Sequence, residues 1–288
     1  MTLREVVIPS LGSTQAAARR DWWGRGRRET ALLLLFSAPM LAFLLVPLLS
    51  LLLRISPADL LANLFNPLVA QAIWLSMATT SLSLLLTLAL GTPVAYLLAR
   101  RQFRGRAALD TLIDLPMVLP PSVAGIALLL AFGRRGLIGQ HLSDAGLDIA
   151  FTQAAVVMAQ MFVAAPFFVK AAAAGFAHID REIEYAAALD GANSFQIFRM
   201  ITMPLAGTAL LAGAVMTWAR ALGEFGATII FAGNFPGRTQ TMPLAIYIGF
   251  ELDLSRALTL AAILVACSFL VLFVVKVVLR QRLHVGNQ

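Results

Sequence analysis

The chain has 288 residues, of which 59% are hydrophobic and only 13% are charged, and its mean hydropathy is +0.82. Soluble globular domains carry about 25% charged residues, so this composition excludes a water-soluble fold and predicts a polytopic membrane protein. The net charge of +7 would also fit a nucleic-acid-binding protein, but the arginines lie in short clusters between apolar runs. We therefore interpret them as topological anchors at the cytoplasmic membrane surface.

The first 29 residues are predicted to form a cytoplasmic tail. They contain six arginines, the last of them Arg28, and no long apolar core, which argues against a cleaved signal peptide. The apolar run that follows is long enough to cross a membrane. The predicted organisation is a tail over residues 1–29, a transmembrane domain over residues 30–280 and a C-terminal tail over residues 281–288.

Six apolar segments of this domain are long enough to span the hydrocarbon core, which takes about 20 residues of helix. Their approximate bounds are residues 31–53, 72–98, 110–133, 151–172, 205–232 and 257–279. With both termini inside, sixteen of the 22 lysines and arginines fall in inner segments, five fall in outer loops, and Arg220 lies within the fifth span. The positive-inside rule therefore places both termini in the cytoplasm, and the predicted fold class is an all-α integral membrane protein.

Prolines interrupt the third predicted span at Pro116, Pro120 and Pro121, which predicts a break or a kink. Interrupted helices recur at transport sites, because non-helical backbone survives in a membrane only against protein or water. A helix that merely bends is the alternative. Asp110 and Asp114 lie towards the cytoplasmic end of this span, and we interpret them as residues of a helix N-terminus.

A polar cytoplasmic segment over residues 173–204 separates the fourth and fifth predicted spans. Its apolar and small residues recur at helical spacing, Asp180 or Ser194 could cap short helices, and Gly191 would permit a tight turn between them. Pro204 suits the first turn of the next span. The segment either docks on another protein or lies on the bilayer as an amphipathic helix.

The fifth span contains Arg220 and Glu224, which are four residues apart and can meet on one helix face. They form either a gate in a transport pathway or an ion pair that fixes helix packing. Gly223 and Gly226 flank Glu224 and Phe225 and would allow another helix to approach closely, which makes this segment a candidate dimer contact and constriction. Small hydroxyl residues within spans are further pathway candidates, although most such hydroxyls bond to backbone carbonyls; they are Thr79, Thr80, Ser81, Ser122, Thr217 and Thr228.

The cytoplasmic segment reads Glu184-Tyr185-Ala186-Ala187-Ala188-Leu189-Asp190-Gly191-Ala192, and Ile201-Thr202-Met203-Pro204 follows nine residues after the glycine. It resembles the "EAA" loop of permease subunits of ATP-binding cassette (ABC) importers, although Tyr185 stands where that pattern has Glu and Met203 where it has Leu. The resemblance implies that this loop contacts an ATPase subunit. The implied contact residues are Glu184, Tyr185, Ala186, Ala187, Asp190, Gly191, Ala192 and Phe195.

Three further stretches resemble the molybdate, tungstate and sulfate branch of ABC permeases and favour molybdate. They are residues 115–136, residues 220–228 and the outer loop Gly233–Thr241. The resemblance implies a type I importer fold in a bacterial or archaeal cytoplasmic membrane, a homodimer, an ABC ATPase dimer that binds ATP and Mg²⁺, and an extracytoplasmic binding protein. Asn234 and Arg238 are the implied contacts with that binding protein, and tungstate or sulfate is the alternative substrate.

The sequence contains no Gly-x4-Gly-Lys-Ser/Thr phosphate-binding loop, so ATP hydrolysis is expected on a separate chain and no cofactor is expected on this one. No metal site is expected, because Cys267 is the single cysteine and the three histidines are far apart. A secondary transporter driven by an ion gradient is the main alternative, but such folds usually show inverted repeats and several intramembrane carboxylates. A membrane enzyme would need a catalytic motif, and none is found.

Overall fold

The computed structural model describes the backbone of residues 11–285 and the side chains of residues 30, 32–275 and 277. Helix α1 (Leu11–Leu53) belongs to one compact unit, and the residues from Ile55 onward form another. Within α1, residues Leu32–Leu53 are long and apolar enough to cross a membrane, as predicted for the first span. The predicted tails lie partly outside the described residues, over 1–10 and 286–288.

Thirteen further α-helices follow in the second unit, and every regular element of the described residues is helical. The helices are α2 (Pro57–Leu64), α3 (Pro67–Arg100), α4 (Arg106–Val118), α5 (Pro121–Phe132), α6 (Gly139–Asp144), α7 (Gln153–Ala177), α8 (Arg181–Leu189), α9 (Ser194–Ile197), α10 (Met203–Leu205), α11 (Gly207–Leu222), α12 (Gly226–Phe231), α13 (Met242–Leu252) and α14 (Leu254–Val285). A π-helical turn, Phe198–Thr202, joins α9 to α10.

Four helices of the described residues are long and apolar enough to span alone: α1, α3, α7 and α14. The number rises to six if each of two bent helix pairs is counted as one span. The third predicted span consists of α4 followed by α5, and the chain bends by 117° between these two helices. The prediction of a break is confirmed at Pro120 and Pro121, because Leu119 and Pro120, each followed by proline, have ψ of 136° and 134°. It is wrong at Pro116, which lies inside the helix α4.

The prediction of a single helix over residues 205–232 is wrong. The segment Ser194–Leu205 and α11 are bent by 70° at Ala206, and α11 ends at Leu222 before the short helix α12 begins. Pro204 therefore lies just before the bend rather than in the first turn of the long helix. The apolar helix α13 was also not predicted, because its 11 residues are too few to span a bilayer.

Helix α7 is the core of the second unit. In the most apolar 18-residue stretch of α7, 56% of the residues are buried; the corresponding share is 28% for α3 and 17% for α14. Small residues let the neighbouring helices approach it: a β-carbon at Gly213 of α11 would lie 2.8 Å from Cβ of Ala171. Phe168 and Phe176 fill the space between α7 and α3 and are almost fully buried. This packing supports the elements that carry the candidate sites.

Candidate functional site

Two short helices, α8 and α9, form the cytoplasmic hairpin over residues 180–197. The Asp180 side chain caps α8 by accepting a hydrogen bond from the backbone N–H of Glu182 at 3.0 Å, as predicted. Gly191 makes the turn with φ of +89°, in the left-handed region that glycine adopts without strain. The prediction of Ser194 as the second cap is wrong, because Asn193 caps α9 in a reciprocal capping box with Gln196.

Glu184 points inward and attaches the hairpin to the membrane helices. Its Oε1 accepts hydrogen bonds from Nη2 of Arg100 at 3.0 Å and from Oγ1 of Thr202 at 2.8 Å. The Arg100 side chain, only 7% exposed, also donates from Nη1 to the carbonyl of Ile179 at 3.1 Å. Since hydrogen bonds between ionised groups are stronger than neutral ones, one carboxylate joins α8, the end of α3 and the π-helical turn.

The hairpin exposes a partly apolar surface. Leu189 is 89% exposed, Phe195 67% and Tyr185 61%. Tyr185 therefore holds the position of the glutamate in the EAA pattern with its side chain outward. Of the other predicted contact residues, three are exposed and two are half-buried; they are Ala186, Asp190 and Gly191, then Ala187 and Ala192.

The second candidate site is the break between α11 and α12, at residues 223–225. Glu224 is 1% exposed, and its Oε2 lies 2.7 Å from Nη1 of Arg220. Its Oε1 accepts the backbone N–H of Ala227 at 2.8 Å, which satisfies a free amide in the first turn of α12. The predicted ion pair with Arg220 is confirmed, and the same carboxylate also stabilises the start of a new helix.

This break lies beside the proline break in the third span. A β-carbon at Gly226 would lie 2.7 Å from Cβ of Pro121 and 3.4 Å from the backbone N of Ser122. The starts of α5 and α12 are thus in direct contact, and Ser122 is exposed at this place. The ring of Phe225 packs on Tyr247 of α13 with centroids 5.2 Å apart. The structure therefore brings together pathway candidates that lie about a hundred residues apart in sequence.

Of the remaining hydroxyl candidates, the four threonines are buried and only the serine is exposed. The hydroxyl of Thr217 donates to the carbonyl of Ala164 on α7 at 3.2 Å, and that of Thr79 to Leu75 at 2.8 Å. Thr80 accepts a hydrogen bond from Gln160 at 3.2 Å. The bonds of Thr217 and Thr80 join neighbouring helices, and that of Thr79 lies within α3. Thr228 is buried, and its Oγ1 has no partner among the described residues; Ser81 is exposed.

Sequence reasoning missed an ionic cluster between α4 and α7. Nζ of Lys170 lies 2.8 Å from a carboxylate oxygen of Asp110 and 2.8 Å from one of Asp114. The interpretation of these aspartates as helix-terminal residues is wrong, because the first turn of α4 contains no acidic residue. Their four-residue spacing, which puts both on one helix face, was the available signal.

The outer loop after α12 forms a compact turn. The Thr239 hydroxyl accepts the N–H of Phe235 at 3.1 Å, and the Asn234 amide donates to the carbonyl of Leu244 at 3.3 Å. Asn234 is half-buried, whereas Arg238 is exposed. Of the two predicted binding-protein contacts, Arg238 is thus the accessible one and Asn234 supports the loop.

Two bacterial proteins show the similarity of this chain to curated permeases. The molybdenum transport system permease protein ModB of Mycobacterium tuberculosis is 41% identical over 231 residues, which cover 80% of this chain and 88% of that protein. The protein of the same name from Escherichia coli K12 is 43% identical over 178 residues, covering 62% of this chain and 78% of that protein.

A solved structure supports the fold. A subunit of a bacterial ABC transporter involved in the import of the acidic polysaccharide alginate superposes with a TM-score of 0.68 at 18% identity, over 93% of this chain and 99% of that one. The family profile described as the inner membrane component of binding-protein-dependent transport systems matches residues 91–285, which include both candidate sites. The chain belongs to this family of membrane permease subunits.

Proposed function

We propose that the chain is the molybdate-conducting permease subunit of an ATP-driven importer. The similarity to molybdenum permeases over four fifths of the chain carries the substrate assignment. The exposed cytoplasmic hairpin supports the coupling to an ATPase. Tungstate and sulfate, which like molybdate are tetrahedral oxyanions of charge −2, are the alternatives.

ATP hydrolysis belongs to a partner subunit that binds ATP and Mg²⁺, because this sequence has no phosphate-binding loop. The hairpin face with Tyr185, Leu189 and Phe195 is the docking surface for that subunit. Three exposed apolar side chains on a cytoplasmic hairpin match the aromatic and apolar composition of interface cores. Since Glu184 ties α8 to α3 and to the π-helical turn, a movement of the docked hairpin is transmitted to the spans.

Two copies of the chain enclose the pathway, and an extracytoplasmic binding protein delivers the anion. The contacting starts of α5 and α12 are the constriction, since an interrupted helix must face protein or water. Glu224 is paired with Arg220, so its charge does not oppose an anion there. Arg238, exposed in the outer loop, contacts the binding protein.

The test is reconstitution of the chain with its ATPase in lipid vesicles, with ATP hydrolysis and molybdate uptake measured with and without loaded binding protein. Leu189→Glu places a charge on the docking surface, and loss of stimulated hydrolysis and of uptake is expected. Leu137→Glu is the matched control, because Leu137 is similarly exposed at 81% but belongs to the loop after α5, which the distribution of basic residues places on the outer side. It retains activity.

Two outcomes would contradict the proposal. If Leu189→Glu keeps full stimulation, the hairpin is not the docking surface. If uptake follows an imposed ion gradient without any ATPase, the chain is a secondary transporter. Competition of molybdate uptake by tungstate and by sulfate decides among the three anions.

A further inference from the structure

Two adjoining cavities lie where the C-terminal end of α3 meets the cytoplasmic hairpin. The first, of about 460 Å³, is lined mainly by apolar side chains, among them Pro93, Leu97 and Phe195. The second, of about 380 Å³, is lined by polar groups that include three arginines. Both cavities share the residues Tyr96, Arg101, Ser194 and Phe198. The two cavities adjoin at these residues, and we call them together the inner-face cleft.

The charges of the polar cavity do not balance within the described residues. Glu184, its only acidic lining residue, is already neutralised by Arg100. The guanidinium of Arg101 has no ion pair or hydrogen bond with another described side chain or backbone group. Arg181 donates only to the carbonyl of Arg100, at 3.4 Å. Two exposed guanidinium groups are thus available to an anion, and a phosphate can accept from both.

The apolar cavity lies on the membrane side of these arginines. Pro93 and Leu97 lie seven and three residues before Arg100, the last residue of α3, which at a rise of 1.5 Å per residue is about 10.5 and 4.5 Å along the helix; Arg101 follows directly. Tyr96 packs edge-on against Phe198 with centroids 5.1 Å apart and against Phe176 at 5.6 Å. These ring contacts fix one wall, so the cleft is preformed rather than opened by its occupant.

We propose that the inner-face cleft binds one anionic phospholipid of the cytoplasmic leaflet, with its phosphate on Arg101 and Arg181 and an acyl chain along Pro93 and Leu97. The positive-inside distribution of arginines places the end of α3 at the cytoplasmic surface, where anionic headgroups are found. Basic pockets between helices at this surface suit such headgroups. The site borders the proposed docking surface, because Tyr185 and Phe195 also line the two cavities. Lipid retention by the purified chain is measured without an ATPase or a transported anion, so a failure of this proposal and a failure of the proposed function are distinguishable.

The experiment is native mass spectrometry of the purified full-length chain in detergent, supplied with equal amounts of phosphatidylglycerol and phosphatidylcholine. Wild type is expected to retain one phosphatidylglycerol in preference to phosphatidylcholine. The double variant Arg101→Gln, Arg181→Gln is expected to lower that preference on the order of tenfold, since each basic residue near the surface contributes to anionic-lipid affinity. Circular dichroism checks that the variant keeps its helix content.

The matched control is Arg104→Gln with Arg106→Gln, which removes the same charge from the same segment but outside the lining of the cleft. Its lipid preference is expected to match wild type. Equal losses in the two double variants would overturn the proposal, because they would show general surface attraction rather than a site.

A second variant tests the shape of the cleft without changing its charge. Ser194→Trp fills the part that the two cavities share and is expected to abolish the retained phosphatidylglycerol. Unchanged retention in this variant would overturn the proposal. A final arm adds glycerol phosphate in large excess: failure to displace the lipid supports a phospholipid, whereas full displacement would show that the cleft binds soluble phosphate esters instead.

Discussion

Glu184 in the cytoplasmic hairpin and Glu224 in the broken fifth span each form an ion pair with an arginine and accept a hydrogen bond from one further residue. The partners of Glu224 are local, since Arg220 and Ala227 lie within four residues of it. Those of Glu184 are distant: Arg100 lies 84 residues away and Thr202 lies 18 away. One glutamate shapes a break within a single span, and the other connects three elements.

The difference matters for a protein that must move. A local pair can travel with its own segment and keep its geometry. A pair that joins separate elements either forces them to move together or breaks when they separate. The same two residue types therefore serve as a local cap at Glu224 and as a mechanical link at Glu184.

Removal of Glu184 is expected to have the largest effect on stability. Glu184→Ala leaves Arg100, whose side chain is only 7% exposed, as a buried charge without its partner. Breaking such a pair costs about 3 kcal/mol. Thermal unfolding of the purified chain measures the loss, and hydrogen exchange should show faster exchange over residues 181–202. Slow exchange there would disprove the link.

Glu224→Ala is expected to cost less, about 2 kcal/mol, because Arg220 is 30% exposed and can be hydrated when its partner is lost. Glu224→Gln is the control, since its amide oxygen can still accept the N–H of Ala227. If Glu224→Gln is as unstable as Glu224→Ala, the charge is essential and the helix cap is not.

A combined replacement separates transport from packing at this break. Arg220→Met with Glu224→Gln removes both charges together and leaves no unpaired ion. If Arg220 takes part in the pathway, molybdate uptake in reconstituted vesicles falls while the unfolding temperature changes little. Retained uptake would reduce the pair to a packing role.

Thr202→Val sharpens the comparison at the hairpin. It keeps the shape of the side chain and removes one hydrogen bond to the charged Glu184, which is expected to cost about 1.5 kcal/mol. Thr217→Val is the control, because the hydroxyl of Thr217 donates to the neutral carbonyl of Ala164. Thermal unfolding should rank Thr202→Val as the more harmful of the two; the reverse order would contradict this account.

The smallest effect is expected at the cluster of α4 and α7. Lys170→Met removes the partner of Asp110 and Asp114, but both carboxylates are more than 40% exposed. Partly exposed ion pairs contribute about 0.5 kcal/mol, so the unfolding temperature should fall only slightly. The companion variant with Asp110→Asn and Asp114→Asn added should recover most of this loss by removing their mutual repulsion.

Local chemistry made several features predictable. Pro120 and Pro121 exclude helical backbone before them, Gly191 permits the turn of the hairpin, and Asp180 has the side chain of an N-cap. The pairing of Arg220 with Glu224 followed from their spacing. Each of these depends on residues within a few positions of one another, which a sequence pattern displays directly.

Long-range contacts were not predictable from the pattern. Nothing near Arg100 in sequence indicates that it reaches Glu184, and Lys170 gives no sign of its two aspartates. The break at residues 223–225 was missed because the segment 205–232, despite Arg220 and Glu224, is apolar enough overall to fit an unbroken span. Its cause is tertiary: Gly226 allows α12 to lie against Pro121, a contact between segments about a hundred residues apart.

The sequence by itself determined that the chain crosses a membrane, which termini face the cytoplasm and where the cytoplasmic hairpin turns, because hydropathy, charge distribution and turn chemistry act over short stretches. Only the tertiary structure decided the 117° and 70° bends, the contact between the starts of α5 and α12, and the attachment of the hairpin to α3. These features depend on which helices pack together, and that is fixed by the side chains of both partners at once.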